Sequence, residues 1–385
     1  EGRFCKTSSF DPVATSRKGI YVCGAFQGPK DIPQSVIEAS AAACAATGRL
    51  AQARHSQTRK PIRPLEKEIT REDPRIGVFI CHCGKNIGGV VNVPEVAAYA
   101  KTLPGVTFVA ENLFTCSQDT QDKMGALIAE QGLNRIVVAA CTPRTHEGLF
   151  QETMVSAGLN KYLLEMANIR NQDSWVHASD PQGATTKAKD LVRMAVAKVA
   201  LMGPLMETDI PMCPKALVVG GGISGMTAAK NLARHGYPVS LVERSSFLGG
   251  QARRLFRTWQ GEDVQQNLSA LKDSVESDPD IQIHLETEVS KVEGFVGKFK
   301  STLQSRSKEE ILDHGIAVIA TGAEEHKPEE YHYGHDPRVL THLELDEKLL
   351  RHDPLLRDIR SAVFIQCVGS REPERPYCSK VCCTH

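Results

Sequence analysis

The segment Leu217-Val218-Val219-Gly220-Gly221-Gly222-Ile223-Ser224-Gly225-Met226 constrains this chain more than any other. It sets G-x-G-x-x-G directly after an apolar strand and at the opening of a helical pattern, the phosphate-binding turn of a Rossmann-type βαβ unit. Gly220 permits the tight turn, Gly222 lets the backbone approach a pyrophosphate, and Gly225 lets the helix lie close to the strand. Ile223 and Ser224 complete the turn, where free N–H groups and the positive helix end attract phosphate. Glu243 closes the next apolar strand, at 239–243, where a carboxylate accepts ribose hydroxyls. Strand, turn, helix, strand and acid together predict dinucleotide binding, whereas the glycines alone would license only a tight turn.

At 385 residues the chain has room for two or three domains, at roughly 150 residues each. Around the dinucleotide unit, residues 1–55 hold a strand-like run at 19–24, a loop at 25–30 and a small-residue helix at 32–46 with Asp31 as its N-cap. Residues 56–74 are polar, basic and punctuated by Pro61, Pro64 and Pro74, the composition of a linker. Across 75–183, apolar runs at 76–80, 106–109, 135–140 and 162–166 alternate with helical patterns at 94–103, 120–131 and 146–157. That alternation predicts a parallel sheet covered by helices. Residues 184–212 open with a long amphipathic helix, 184–202, expected to lead out of that domain. Residues 213–385 carry the dinucleotide unit, a helix and antiparallel strands within 261–303, and apolar strands at 316–320 and 362–366. The fold class expected is α/β, a small parallel-sheet domain followed by a Rossmann-type domain.

Charge and hydropathy narrow the function. Lys plus Arg and Asp plus Glu number 46 each, so no basic face points to nucleic acid or an anionic membrane. Aromatics at 5% weaken any base-stacking role. The most apolar run, 191–206, is interrupted by Arg193 and Lys198 and falls short of the ~20 residues that span a bilayer. The opening residues Glu1-Gly2-Arg3-Phe4-Cys5 carry no apolar signal core. A cytoplasmic protein with reduced thiols is expected. The chain starts without Met and stops two residues after Cys383, which predicts a fragment of a longer polypeptide with its last domain incomplete.

The 12 cysteines are too few for a disulfide scaffold, yet they are bunched. Cys81 and Cys83 lie just past the first strand of the middle domain, Cys116 past the second and Cys141 past the third. The carboxyl ends of parallel strands meet along one edge, so these four thiols are expected to converge there. Four thiolates suit a [4Fe-4S] cluster or tetrahedral zinc, and the bland alternative is four small buried hydrophobes. His82 and His146 are nearby, and as ready to be surface groups as ligands. A second set follows the strand at 362–366: Cys367, then Cys378, Cys382 and Cys383. On a helix Cys378 and Cys382 share a face while Cys383 points away, so metal binding by all four needs a distorted turn. A C-x3-C-C redox pair is the alternative. Cys5, Cys23, Cys44 and Cys213 lack partners at useful spacing and are expected to be structural.

The surroundings of the glycine turn indicate which dinucleotide it takes. Arg244 and Phe247-Leu248-Gly249-Gly250-Gln251 follow Glu243, and Ile316-Ala317-Val318-Ile319-Ala320-Thr321-Gly322-Ala323 comes later. Together these resemble the two-dinucleotide-binding flavoproteins, in which the first motif holds FAD and the Ala-Thr-Gly strand passes beneath it. The resemblance implies FAD rather than NAD, with Arg244, Gly250, Gln251, Thr321 and Gly322 joining the glycines and Glu243 around it.

A more specific resemblance covers the chain from about residue 75 to its end. Val78-Phe79-Ile80-Cys81-His82-Cys83-Gly84, Ala140-Cys141-Thr142-Pro143-Arg144-Thr145-His146-Glu147, Gln366-Cys367-Val368-Gly369-Ser370-Arg371 and Tyr377-Cys378-Ser379-Lys380-Val381-Cys382-Cys383-Thr384-His385 resemble the heterodisulfide reductase A-subunit (HdrA-like) family of iron–sulfur flavoproteins. It implies a cluster-bearing α/β domain before a thioredoxin-reductase-like FAD domain, with [4Fe-4S] clusters on both cysteine sets. The run 19–33 resembles the closing segment of such an FAD domain, so a tandem of two modules is implied for the parent chain, with residues 19–47 expected to fold back on 213–385. The family's ferredoxin-type cysteine runs are absent from this sequence.

The function implied is an FAD- and iron–sulfur-dependent oxidoreductase component of a complex, relaying or bifurcating electrons, with no catalytic residue beyond its cofactors. Implied partners are the other subunits of a heterodisulfide-reductase-like complex, with a hydrogenase, formate dehydrogenase or ferredoxin-type carrier. Two other classes stay open: an NAD(P)H-dependent disulfide oxidoreductase using Cys378, Cys382 and Cys383, and a zinc-stabilised scaffold.

Overall fold

Continuous rather than alternating apolar runs make strands that are buried on both faces. The computed structural model describes residues 4–59, 62–306, 308–378, 380 and 383. In it the chain forms two units, Arg59–Asp209 and Glu1–Thr58 with Ile210–His385.

The second of these units begins with α1 (Ile32–Leu50), which starts where the sequence predicts. The Asp31 carboxylate accepts the Gln34 N–H at 2.7 Å, satisfying an otherwise orphaned donor of the first turn. The run 19–24, predicted as a strand, makes only an isolated bridge between Ala14 and Tyr21. Gly19 and Gly24, at φ 86° and 72°, break the extended path at both ends.

In the unit Arg59–Asp209, β1 (Ile76–Cys81), α2 (Lys85–Gly88), α3 (Val93–Ala100), β2 (Val106–Asn112), α4 (Gln118–Glu130), β3 (Arg135–Ala140), α5 (Pro143–Ser156), β4 (Leu164–Asn168) and α6 (Pro181–Ala200) follow in order. The strands form one parallel sheet, β2-β1-β3-β4. Every residue of β1 and β3 is buried. Strand order reverses between β1 and β3, and the edge outside that reversal is where an open α/β sheet binds ligands.

Two segments differ from their sequence expectation. Residues 62–74, predicted as a linker, pack along this unit: Ile69 joins its core and the Lys67 N–H donates to the Gly158 carbonyl at 2.9 Å. The helix predicted as a connector, α6, lies against β3 and β4. It buries Ala184, Ala188, Val192, Ala195, Val196 and Val199, a stripe whose helical period makes the helix a core layer.

The remaining elements belong to the unit that contains α1. They are β5 (Ala216–Val219), α7 (Ile223–Arg234), β6 (Val239–Val242), α8 (Val264–Glu276), β7 (Ile281–His284), β8 (Thr287–Phe295), β9 (Lys298–Ser305), β10 (Glu309–His314), β11 (Ile316–Ile319) and α9 (His342–Leu350). A parallel sheet runs β11-β5-β6-β7, and an antiparallel sheet runs β10-β9-β8. Met226, Ala229 and Ala233 of α7 pack with Val218, Leu241, Leu268 and Val275 in the core beside the parallel sheet.

The N-terminal segment is tied into this unit. Glu262 accepts the Ser8 hydroxyl at 2.7 Å and the Ser9 N–H at 3.2 Å, while Phe10 packs on the core. The Thr47 hydroxyl meets His235 Nε2 at 2.9 Å. The Arg54 guanidinium lies 5.5 Å from the Tyr237 ring centre.

The sequence also predicts a strand at 362–366, and the structure corrects this. The segment has no strand pairing among the described residues, and Val363 is 87% exposed. An apolar run becomes a strand only where a neighbour takes its N–H and C=O groups.

Candidate functional site

The glycine turn leaves β5 at the point where the parallel sheet reverses between β5 and β11. Gly220 sits at φ 112°, and a Cβ there would stand 2.2 Å from the Ala320 carbonyl oxygen at the end of β11. A Cβ on Gly225 would meet the Gly220 carbonyl oxygen at 1.8 Å, so helix and turn close only on glycine. Gly222 differs: nothing lies within 4 Å of where its Cβ would be, and its conformation is extended (φ −77°). No side chain caps the helix that starts at Ile223, so this end of α7 offers backbone N–H groups beside open space. The donor set fits a pyrophosphate.

Glu243 stands beside the turn. Its Oε2 accepts the Gly221 N–H at 2.7 Å and its Oε1 accepts the Ser245 N–H at 2.8 Å. A carboxylate has about four lone-pair sites, so capacity remains for ribose hydroxyls. Gly249 forms a parallel bridge with Gly222, which brings Gly250 (φ 51°) against the turn. Gln251 Nε2 donates to the Ala323 carbonyl at 3.5 Å. Arg244 is exposed and meets Glu324 at 3.5 Å. Thr321 and Gly322 lie just past β11, exposed, with Gly322 at φ 72°.

The first cysteine set lies at the C-terminal edge of the other parallel sheet. Cys81 ends β1 and is buried, Cys83 follows at φ 47°, Cys141 directly follows β3 and is buried, and Cys116 lies beyond β2, half-buried. The Cys81 sulfur accepts the Cys83 N–H at 3.2 Å and the Thr115 N–H at 3.4 Å. Burial pushes the Cys116 thiol up, and the charges of Cys81 and Cys83 push it the same way. Burial likewise raises Cys141, with Arg170 opposing it and Cys116 and Cys81 adding to it.

Neighbouring thiols resist joint ionisation until a positive centre lies among them. The Thr115 hydroxyl and the Asn112 amide nitrogen, beside these thiols in sequence and register, are buried with no hydrogen-bond partner. Unpaired donors next to these thiols fit a group that carries acceptor sulfur. Among the described residues, no three His, Cys, Asp or Glu side chains are gathered closely enough to hold a single metal ion. His82 pairs with Glu111 at 3.2 Å.

One functional candidate was not legible in the cysteine pattern. Arg170, just past β4, donates from Nη1 to the Cys83 sulfur at 3.3 Å. The same strand-end rule that singles out the cysteines points to it, but only once a strand without a cysteine is considered as well.

Of the second set, Cys367 is half-buried at φ 63°, and Cys378 and Cys383 are exposed. Cys382 lies outside the described residues. No helix carries Cys378 or Cys383. The Lys380 N–H donates to the Cys378 sulfur at 3.4 Å.

Residues 214–355 match the family model for pyridine nucleotide-disulphide oxidoreductase. Fold, glycine turn and match define a dinucleotide-binding oxidoreductase domain of the flavoprotein class. Over most of its length the chain is similar to curated heterodisulfide reductase A-subunits. It is 34% identical to the A-subunit of the H(2):CoB-CoM heterodisulfide,ferredoxin reductase of Methanothermobacter thermautotrophicus, over 83% of this chain and 62% of that protein. It is 35% identical to the second iron-sulfur A-subunit of the CoB--CoM heterodisulfide reductase of Methanopyrus kandleri, over 82% of this chain and 62% of that protein. With the heterodisulfide reductase A-subunit-like protein of Archaeoglobus profundus the identity is 39%, over 82% and 47%. The chain thus spans about half to three-fifths of the length of these relatives. Among the described residues no helix is long and apolar enough to cross a membrane.

Proposed function

We propose that this chain is the electron-transfer flavoprotein part of a heterodisulfide-reductase-type complex. The observation that carries the proposal is the pairing, in one chain, of an open glycine turn with four cysteines past the strand ends of a second parallel sheet. Gly220, Gly222, Ile223, Ser224 and Gly225 would hold the pyrophosphate of FAD on backbone N–H groups, and Glu243 would fix its ribose. Gly250, Gln251, Thr321, Gly322 and Arg244 would line the rest of the site. FAD supplies there the conversion of a two-electron equivalent into single electrons, including their division between acceptors of high and low potential.

Cys81, Cys83, Cys116 and Cys141 would ligate a [4Fe-4S] cluster, with the Cys83 and Thr115 N–H groups bonded to the Cys81 sulfur. Cys367, Cys378, Cys382 and Cys383 would ligate a second. The word "iron-sulfur" in the name of the Methanopyrus kandleri relative supports this assignment. Partner subunits would cleave the disulfide, and a hydrogenase, formate dehydrogenase or ferredoxin-type carrier would exchange electrons with the chain. In support, the relatives' names include H(2), ferredoxin and F(420)H(2).

A second reading, an NAD(P)H-dependent disulfide oxidoreductase working through Cys378, Cys382 and Cys383, is favoured by the family match and by the exposure of Cys378 and Cys383. Analysis of the anaerobically purified chain for flavin, iron, acid-labile sulfide and titratable thiols separates the two. The proposal expects FAD with about eight iron and eight sulfide per chain, four of each per cluster. FAD with reactive thiols and no iron gives the second reading.

A further inference from the structure

Arg170 opens a π-helical turn, Arg170–Ser174, immediately after β4. Such turns are rare and recur at functional sites. This one touches the backbone beside two of the cysteine loops. Besides the Arg170 bond to the Cys83 sulfur, Asn171 Oδ1 accepts the N–H of Thr142, the residue after Cys141, at 3.2 Å. The Ser174 hydroxyl donates to the Asn86 carbonyl at 2.7 Å, three residues beyond Cys83.

The guanidinium itself is held. Its Nε donates to Asn171 Oδ1 at 3.3 Å, and its carbon lies 4.9 Å from the centre of the Trp175 ring. A guanidinium stays charged at any working pH and makes charge-assisted hydrogen bonds. It is therefore a fixed positive charge whose donor rests on a sulfur.

We infer that Arg170 is the positioning residue that sets the reduction potential of the centre on Cys81, Cys83, Cys116 and Cys141. This inference rests on the cluster assignment proposed above. Reduction adds one electron to the centre, and no bond forms or breaks. A cation and an N–H donor at a ligand sulfur stabilise the more negative, reduced state, so their presence raises the potential. Trp175 and Asn171 keep the donor aimed, so loosening either weakens the same effect.

The test is an anaerobic potentiometric titration of the full chain with dithionite, followed by EPR, alongside iron and sulfide analysis. For Arg170→Gln the inference expects unchanged iron and sulfide. It also expects about a tenfold fall in the reduced-to-oxidised ratio at a fixed potential, about 59 mV for one electron. Arg170→Lys, which keeps the charge but not the fork, and Trp175→Leu, which frees the guanidinium, should shift less and in the same direction. An Arg170→Gln chain with its full cluster and an unchanged potential overturns the inference and leaves the cluster assignment standing. If that variant assembles no cluster, wild-type potentials in both Arg170→Lys and Trp175→Leu overturn it. A wild-type chain without iron and sulfide overturns the cluster assignment and this inference with it.

Discussion

The Glu243 carboxylate accepts the backbone N–H of Gly221 at 2.7 Å, which fixes the acid to the turn that it serves. Its other oxygen holds the Ser245 N–H, so one side chain organises both the glycine turn and the strand end after β6. Glu243→Gln offers one acceptor to two backbone donors and leaves one of them facing an amide. That costs about 1–3 kcal/mol. FAD affinity should fall about tenfold to a hundredfold, measured by equilibrium dialysis with fluorescence detection.

The glycines separate folding from cofactor binding. Gly220→Ala drives a methyl into the Ala320 carbonyl oxygen at a positive φ, so it should lower the thermal midpoint and FAD content together. Gly222→Ala meets no protein atom and needs no strained backbone, so stability should stay within about 0.5 kcal/mol. Its methyl stands in the space assigned to pyrophosphate, so FAD content alone should fall. Equal flavin loss and equal destabilisation in both variants would contradict this division.

Asp173, in the π-turn, is fully buried, and neither carboxylate oxygen has a hydrogen-bond partner. Burial raises it from 3.8 to about 6, against the opposing charges of Lys187 and His177. Between those values the folded chain keeps a proton that the unfolded chain releases, so stability falls as pH rises and the full cost applies above about 6. That cost is of order 3 kcal/mol. Asp173→Asn should be the more stable protein at pH 8 and equal to wild type near pH 4. Hydrogen exchange of the buried β3 amides reports it.

Glu262 pins the N-terminal segment. Hydrogen bonds from Ser9 and Ser8, with help from Thr258, hold its carboxyl down to about 2. The contribution is present above the ordinary carboxylate range and is lost as pH falls through about 2. Glu262→Ala should speed tryptic cleavage at exposed Arg17 and Lys18 without unfolding the parallel sheet. Deleting residues 1–55 should lower FAD retention, and unchanged flavin content would contradict a role for that segment.

The parallel sheets were legible because their strands are apolar without a break, as in 76–80 and 135–140, and the start of α1 was legible from its cap Asp31, whereas the cap of α3 emerges only in the structure. Asp31 and Asn92 both accept an N–H of their helix's first turn. Boundaries were less so: β4 begins at Leu164 rather than 162, since the Tyr162 N–H is taken by the Asn160 side chain. The run at 362–366 misleads because apolarity specifies burial, not the neighbour that a strand requires. The strand-end rule places Cys81 and Cys141, whose residue type is itself visible in the sequence as a candidate ligand. Arg170, Asn112 and Thr115 read as ordinary polar residues, because their significance lies in what they face across the sheet edge.

The most direct measurement is the EPR spectrum of the anaerobically reduced chain, with flavin quantified in the same sample, for wild type and for Cys81→Ser with Cys141→Ser. The account predicts a reduced [4Fe-4S] signal that those two substitutions diminish while FAD remains. A wild-type chain that carries zinc without sulfide, or a signal untouched when both cysteines are replaced, would contradict it.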